Sequence, residues 1–312
     1  MNTERTPTIL TAGSSYLDID AYACMVAMAE LMRLEGAEAI AYSAAPCNYS
    51  VTPSLVREGQ VARDLPSGLR PEDASYVIVD VSDPDFLADY LPLARVTAVY
   101  DHHVGFEQYW ADRIGTGSHI EFLGAAATLI YREWNASGLL DKMSRDSALL
   151  LIAAILDNTL NLTSANTTAE DVAVFRDLCA RHSVDDGWCA AYFTEVQTGV
   201  ENDLKNAIFN DIKRIGDNPI LPPLVGQLCV YDATRIIERL PEIRDWFAGI
   251  DGKWMLNIID LHQKKSVFVC DDTEYQSRIS DVFNTRFEAG VALVERSYLR
   301  KEIIKITYKY RG

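Results

Sequence analysis

The sequence predicts an α/β fold. An N-terminal domain would carry a mostly parallel sheet with helices on both faces, and a smaller C-terminal α+β domain would follow. Three observations carry this expectation. Compact Val/Ile/Tyr-rich runs alternate with helical-period segments through the first half. Acidic or histidine clusters close several of the runs. Near residue 185 the alternation gives way to a polar stretch and then to hairpin-like patterning.

In chain order, residues 7–12 form a short β-type run. Residues 20–35 place apolar side chains at helical spacing and stop at Gly36. Residues 37–44, 76–81 and 96–100 read as strands, and 124–134, 147–156 and 168–182 as helices. Thr168 suits an N-cap, with Asp171 at the third position after it. Strands and helices in this order imply a parallel sheet covered on both sides. Residues 194–203 are polar and nearly free of large aliphatics, so they read as a linker. The domains are accordingly placed at 1–193 and 204–312. The second half predicts a helix over 203–213, a strand over 224–231 and a helix over 233–247. Strands over 253–261 and 266–270 flank a turn, and a helix covers 273–287. β-type runs surround Val291 and span 303–308.

Composition bounds the function. The chain has 312 residues, 48% hydrophobic and 24% charged, which suits a globular enzyme of about two domains. The formal charge of −16, from 29 Lys+Arg and 45 Asp+Glu, disfavours nucleic acid as a partner. The tyrosines and tryptophans scatter without a stacking platform. The longest apolar run, residues 148–156, falls far short of the ~20 residues of a membrane helix, so no membrane partner is expected. The N-terminus has no signal-peptide core, and a cytoplasmic location is the expectation. Cys24, Cys47, Cys179, Cys189, Cys229 and Cys270 form no CxxC pair, which argues against zinc-thiolate and disulfide frameworks.

The chemistry concentrates at element ends. Asp18 and Asp20 follow the first strand, Asp80 closes the run 76–81, and Asp101-His102-His103 follows residues 96–100. Asp157 closes the apolar helix. In a parallel sheet all strand C-termini lie on one edge, where ligands bind, so the three clusters converge. Carboxylates packed closely repel unless cations neutralise them. Carboxylate plus imidazole suits Mn²⁺, Mg²⁺, Zn²⁺ or Co²⁺, the raw material of a two-metal hydrolytic site. Each piece alone has a plainer reading. The DxD could be a helix N-cap, Asp80 a turn-former and the His pair part of a surface loop. His119, His182 and His262 keep ordinary readings in a loop, at a helix end and in a turn.

The joint order DxD, strand-end Asp, Asp-His-His and a helix ending Leu156-Asp157 resembles the DHH phosphoesterase superfamily. Gly124-Ala-Ala-Ala-Thr128 resembles its GxxAT segment. Asp157-Asn158-Thr159 followed by Thr168 and Asp171 resembles its LeuAspThr…ThrxxAsp segment. The chain has no adjacent glycine pair, which disfavours the branch with a GGGH-type motif. Asp211-Ile212-Lys213 resembles the Asp-x-Lys of the other branch, that of family II inorganic pyrophosphatases, exopolyphosphatases and prune-like proteins. Arg300-Lys301 resembles part of that branch's Ser-Arg-Lys-Lys motif on its last strand.

The resemblance implies a metal-dependent hydrolase of phosphoanhydride bonds acting on a small phosphate-containing substrate, pyrophosphate or polyphosphate. It implies two divalent ions, Mn²⁺ first, with Mg²⁺ or Co²⁺ as alternatives. Asp18 and Asp80 would hold one ion. Asp20, Asp80, His102 and Asp157 would hold the other, with Asp80 bridging. His103 and Asp101 are the catalytic candidates, with His103 facing the substrate phosphate. Lys213, Arg300 and Lys301 would reach its oxygens, where Arg binds bidentately and Lys acts as a point charge.

One departure is Ser14, which stands where the pyrophosphatases carry a histidine four residues before the first Asp of the DxD. It motivates a catalytically degenerate binding protein as one alternative, against which the intact Asp101-His102-His103 and Asp157 stand. The other alternative is a phosphodiesterase of small nucleotides, which needs a base-stacking wall that the sequence does not display.

Overall fold

The computed structural model describes residues 6–310. The chain divides into two compact units between Cys189 and Ala190. In the first unit the order is β1 (Thr8–Thr11), α1 (Ile19–Leu34), β2 (Ala39–Ala41), β3 (Ser75–Val79), β4 (Val96–Asp101), α2 (Glu107–Ile114) and β5 (Ser118–Ile120), then α3 (Ala126–Ala136), α4 (Arg145–Asn158) and α5 (Ala169–His182). The strands form one parallel sheet in the order β2-β1-β3-β4-β5. Every residue of β1 is buried, as a sheet covered on both faces requires. Helix α1 packs along α4. Residues 147–156 of α4 are all buried, so that helix is apolar on every side because it lies inside a helical layer. Strand β5 and helix α2 are too short and too polar to stand out in the sequence.

Past α4 the backbone turns left-handed for Leu160, Asn161 and Leu162, at φ 50°, 56° and 61°. Such residues are strained unless their surroundings hold them. Buried Thr159 does so. Its Oγ1 accepts from the Leu162 amide at 3.0 Å, and its carbonyl accepts from the Thr163 and Ser164 amides at 2.9 and 2.8 Å.

Helix α6 (Asp186–Asn202) contains the division between the units. The segment read as a linker is the second half of this helix. The second unit continues with α7 (Leu204–Phe209), β6 (Ile212–Arg214), β7 (Leu224–Val230), α8 (Thr234–Glu238), α9 (Leu240–Ala248), β8 (Trp254–Asp260) and β9 (Lys265–Val269), then α10 (Thr273–Phe283), β10 (Val291–Val294) and α11 (Arg300–Lys309). Its sheet runs β10-β9-β8-β7-β6, with β7 and β8 parallel and the other pairs antiparallel.

Three local expectations change here. The stretch 203–213 is a short helix plus a strand, so Lys213 sits on edge strand β6 and not on a helix. The helix expected over 233–247 breaks after Glu238, and Pro241 stands in the first turn of α9, where its missing N–H costs nothing. The run 303–308 is helical. Arg300, Ile303 and Thr307 are its buried residues, a spacing that one helix face provides and a strand does not. No helix among the described residues is long and apolar enough to cross a membrane.

Candidate metal centre

The site is built at the C-terminal edge of the parallel sheet. Asp80 follows β3 in a left-handed conformation at φ 58°, and its amide donates to the Tyr100 carbonyl at 2.8 Å. That bond carries the β3–β4 ladder one residue past the strand end, and Asp tolerates the left-handed conformation better than most residues. Its side chain is 7% exposed. His102 follows β4, and its Nδ1 lies 3.1 Å from the Leu123 carbonyl. A carbonyl only accepts, so Nδ1 carries a proton and Nε2 is the nitrogen turned toward the carboxylates. That Nε2 stands 3.4 Å from Asp80 Oδ1 and 3.9 Å from Asp20 Oδ2.

Asp20 is wholly buried in the first turn of α1. Its oxygens accept from the Ala126 amide at 2.7 Å, the Ala127 amide at 2.9 Å and the Cys24 thiol at 3.4 Å. His103 donates from Nδ1 to Asp101 Oδ1 at 2.9 Å and lies 4.0 Å from Asp80 Oδ1. The His103 side chain is 59% exposed while Asp101 is wholly buried. Asp101 therefore orients the ring and leaves Nε2 of His103 outward.

The electrostatics follow from burial. Burial pushes the Asp80 carboxyl well above the usual carboxylate range, and the charges of Asp18 and Asp20 add to the push. Burial also raises Asp20, with partial relief from His102 and the two α3 amides. Burial alone would raise Asp101, but hydrogen bonds from His103 and the Ser82 hydroxyl bring it below its ordinary value. Burial alone would lower His103, yet the Asp101 hydrogen bond and the charges of Asp80 and Asp101 together leave the ring raised.

The donor set fits a divalent ion. Among the described residues, Asp80, His102 and His103 bring ligand atoms within 4.8 Å of one another. Asp80 Oδ1 and His102 Nε2 are buried and lack a hydrogen-bond partner. These two buried atoms stand 3.4 Å apart with no hydrogen-bond partner of their own. Two ligands about 2.1 Å from one ion stand roughly 3–4 Å apart, so a cation is what this pair lacks.

The other expected site residues are placed as follows. Asp18 caps α1, accepting from the Ala21 amide at 2.9 Å, and is half-buried. Asp157 is half-buried in the last turn of α4. Neither joins the set within 4.8 Å, and Asp20 meets it through His102. Ser14 is exposed, and both its amide and its hydroxyl donate to the Phe86 carbonyl, at 2.9 and 3.1 Å.

In the second unit, Arg300 and Lys301 open helix α11 rather than lying on a last strand. Arg300 is 8% exposed. Its guanidinium donates to Asp211 Oδ1 at 2.7 Å and to the Asp211 and Val225 carbonyls. Val225 is the register partner of Lys213 across β6 and β7. Lys213 and Lys301 are exposed. We expect Arg300→Ala to lower unfolding stability by about 1.5–3 kcal/mol, as for other charged hydrogen bonds. Lys301→Ala should stay within about 0.5 kcal/mol. Urea denaturation of both variants checks this, and equal midpoints would show that the Arg300 contacts carry no stability.

Sequence reasoning missed the role of the loop from Leu123 to Ala127. Helix α3 has Ala125 at its N-cap with no side-chain bond of its own, and Asp20 supplies the acceptors from another element. An alanine-rich helix start with no Ser, Thr, Asp or Asn to cap it is the signal, because its first amides must find acceptors elsewhere.

No family model matches the chain. A Bacillus licheniformis protein named as a probable manganese-dependent inorganic pyrophosphatase is 27% identical over 179 residues, covering 57% of this chain and 56% of that protein. A protein of the same name from Exiguobacterium is 26% identical over 178 residues, again 57% and 56% of the two chains. The match thus spans little more than half the length of these curated relatives. Among solved structures, a Methanococcus jannaschii protein assigned to the family II inorganic pyrophosphatases superposes with a TM-score of 0.62 at 18% identity, covering 98% of this chain and 100% of that one. An exopolyphosphatase-related protein from Bacteroides fragilis gives 0.53 at 11% identity, covering 98% and 92%. The resemblance therefore stands in both respects: the chain has sequence relatives named as manganese-dependent pyrophosphatases and the two-domain α/β fold of the family II pyrophosphatases, consistent with the DHH phosphoesterase superfamily.

Proposed function

We propose that the chain is a divalent-metal-dependent hydrolase of phosphoanhydride bonds, acting on pyrophosphate or short polyphosphate with two Mn²⁺ ions. The observation that carries the reading is the buried, unpartnered pair of Asp80 Oδ1 and His102 Nε2 at 3.4 Å. The names of the sequence relatives support the metal and the substrate class. When bound, the ions supply an acidified water for attack and charge neutralisation on the phosphoryl oxygens.

The chain's own residues then divide the work. Asp80, His102 and Asp20 would hold one ion, with Asp157 completing its set, and Asp18 with Asp80 would hold the second. His103 presents Nε2 outward, and the raised basicity that Asp101 gives it suits hydrogen-bond donation to a phosphate oxygen. Lys213 and Lys301 are the exposed phosphate-binding cations proposed for the second unit. Arg300 holds the start of α11 in place.

Phosphate release in Mn²⁺, Mg²⁺ and Co²⁺ should be measured with pyrophosphate, tripolyphosphate, long polyphosphate and a dinucleotide. Turnover of pyrophosphate or tripolyphosphate that Mn²⁺ supports and a chelator abolishes is the expected outcome. Cleavage of the dinucleotide alone, or of nothing, would overturn the reading.

A further inference from the structure

We propose that Asp171 is a positioning residue of the metal centre, acting on His102 through the Leu123–Gly124 peptide and on Asp20 through the first turn of α3. The inference rests on the metal-centre reading above.

Asp171 is wholly buried near the start of α5. Its Oδ2 accepts from the Thr168 amide at 2.8 Å while its own amide donates to the Thr168 hydroxyl at 3.2 Å, which makes a capping box for that helix, and Oδ2 accepts from that hydroxyl as well at 2.7 Å. The cap needs nothing more, yet Asp171 reaches further. Oδ2 also accepts from the Gly124 amide at 2.8 Å, and Oδ1 accepts from the Thr128 hydroxyl at 2.6 Å. These two contacts pin both ends of the stretch from Gly124 to Thr128.

That stretch touches two ligand candidates. The Gly124 N–H and the Leu123 carbonyl belong to one peptide group, and no peptide bond among the described residues is cis. In a trans peptide the N–H and C=O point in opposite directions. One side of the plane therefore meets Asp171 at 2.8 Å, and the other accepts from His102 Nδ1 at 3.1 Å. An anion on the N–H side polarises the peptide and makes its carbonyl a stronger acceptor. That holds the His102 tautomer and ring plane with Nε2 free. It has the logic of a carboxylate paired with a metal-bound histidine, with a peptide group set between them. Next along the chain, the Ala126 and Ala127 amides hold the two oxygens of Asp20. One carboxylate thus stands behind two side chains of the cluster without touching either.

The experiment uses the full chain and Mn²⁺ alone, titrated while the free ion is followed by electron paramagnetic resonance. Thermal melts and ¹⁵N spectra of the metal-free protein run beside it. Asp171→Asn should weaken Mn²⁺ binding about 10–100-fold, the usual effect of losing such an outer partner. It should also shift the His102 ring nitrogens away from the pure Nδ1–H form. Thr128→Val keeps the α5 cap and should weaken Mn²⁺ binding by a smaller factor in the same direction. Ser144→Ala, which removes the N-cap of α4 far along the chain, should lower the melting temperature and leave Mn²⁺ affinity at the wild-type value. If a folded Asp171→Asn binds Mn²⁺ as the wild type does, with an unchanged His102 spectrum, the inference is overturned and the metal-centre reading survives. If Asp171→Asn does not fold, unchanged affinity in Thr128→Val overturns it equally. Wild-type protein that binds no Mn²⁺ overturns both readings.

Discussion

Asp80→Asn is expected to make the metal-free protein more heat-stable while removing Mn²⁺ binding and nearly all turnover. The first half follows from burial. The Asp80 carboxyl lies well above its ordinary value because it is buried, and because Asp18 and Asp20 add like charge. An acid raised on folding binds more protons in the folded than in the unfolded chain between the two values. Stability then falls as pH rises through that window. At neutral pH the metal-free wild type carries this penalty and an asparagine does not. Asparagine also accepts the left-handed backbone that residue 80 adopts. The second half follows from the loss of the anionic oxygen opposite His102. Several kcal/mol of charge stabilisation vanish with the ion, or about three orders of magnitude in rate. Melts in chelator at pH 5 and pH 7, repeated with Mn²⁺, check both halves. Wild type should gain stability at the lower pH relative to the variant, and Mn²⁺ should raise its melting temperature alone. A variant that melts below wild type in chelator at pH 7, or gains equally from Mn²⁺, would show that Asp80 is not the buried anion the ion neutralises.

Gly124→Ala should damage both the stability of the first unit and its metal cluster. A Cβ at residue 124 would stand 2.6 Å from Asp171 Oδ2 and 2.6 Å from Thr159 Cγ2. Both neighbours are wholly buried, and Asp171 is held by four hydrogen bonds, so neither yields cheaply. The backbone at residue 124 is not left-handed, so the cost is steric and not conformational. Overpacking of this kind costs about 1–3 kcal/mol. The loop moves to relieve it, and the loop carries the contacts to His102 and Asp20. We expect a lower urea midpoint at unchanged slope, a large drop in kcat/KM with pyrophosphate and weaker Mn²⁺ binding. Wild-type values for all three would mean that Asp171 and Thr159 can open the space.

The first unit was legible because parallel strands announce themselves as short apolar runs and their C-terminal ends share one edge. Asp80 and His102 could be placed together on that rule, and Asp20 beside them. The second unit was less legible. Helix α6 buries Cys189, Tyr192, Phe193, Val196 and Val200, a helical stripe that a linker beginning at residue 194 cuts in two. Each half is then too short to show its period. Residues 303–308 are rich in Ile and Thr and read as strand by propensity, but the burial of Arg300, Ile303 and Thr307 follows a helix. Packing overrode propensity there. The burial of Arg300 against Asp211 depends on residues 89 positions apart, which no local pattern records. The Asp171 contacts escaped for a related reason. Its capping role was visible within four residues, and its longer reach to Gly124 was not.

The bonds that hold Asp20 join it to residues 106 and 107 positions away, and Gly124 lies 47 positions from its partner Asp171. Contacts of that span require large loops to close first, so they belong to the late part of folding. A chain still on its way to the native state has no assembled cluster to offer. Interactions absent from the folding transition state slow escape from the native state more than they speed arrival. An ion held by this cluster is therefore a brake on unfolding: it lengthens the life of the finished molecule and leaves the time needed to make it unchanged.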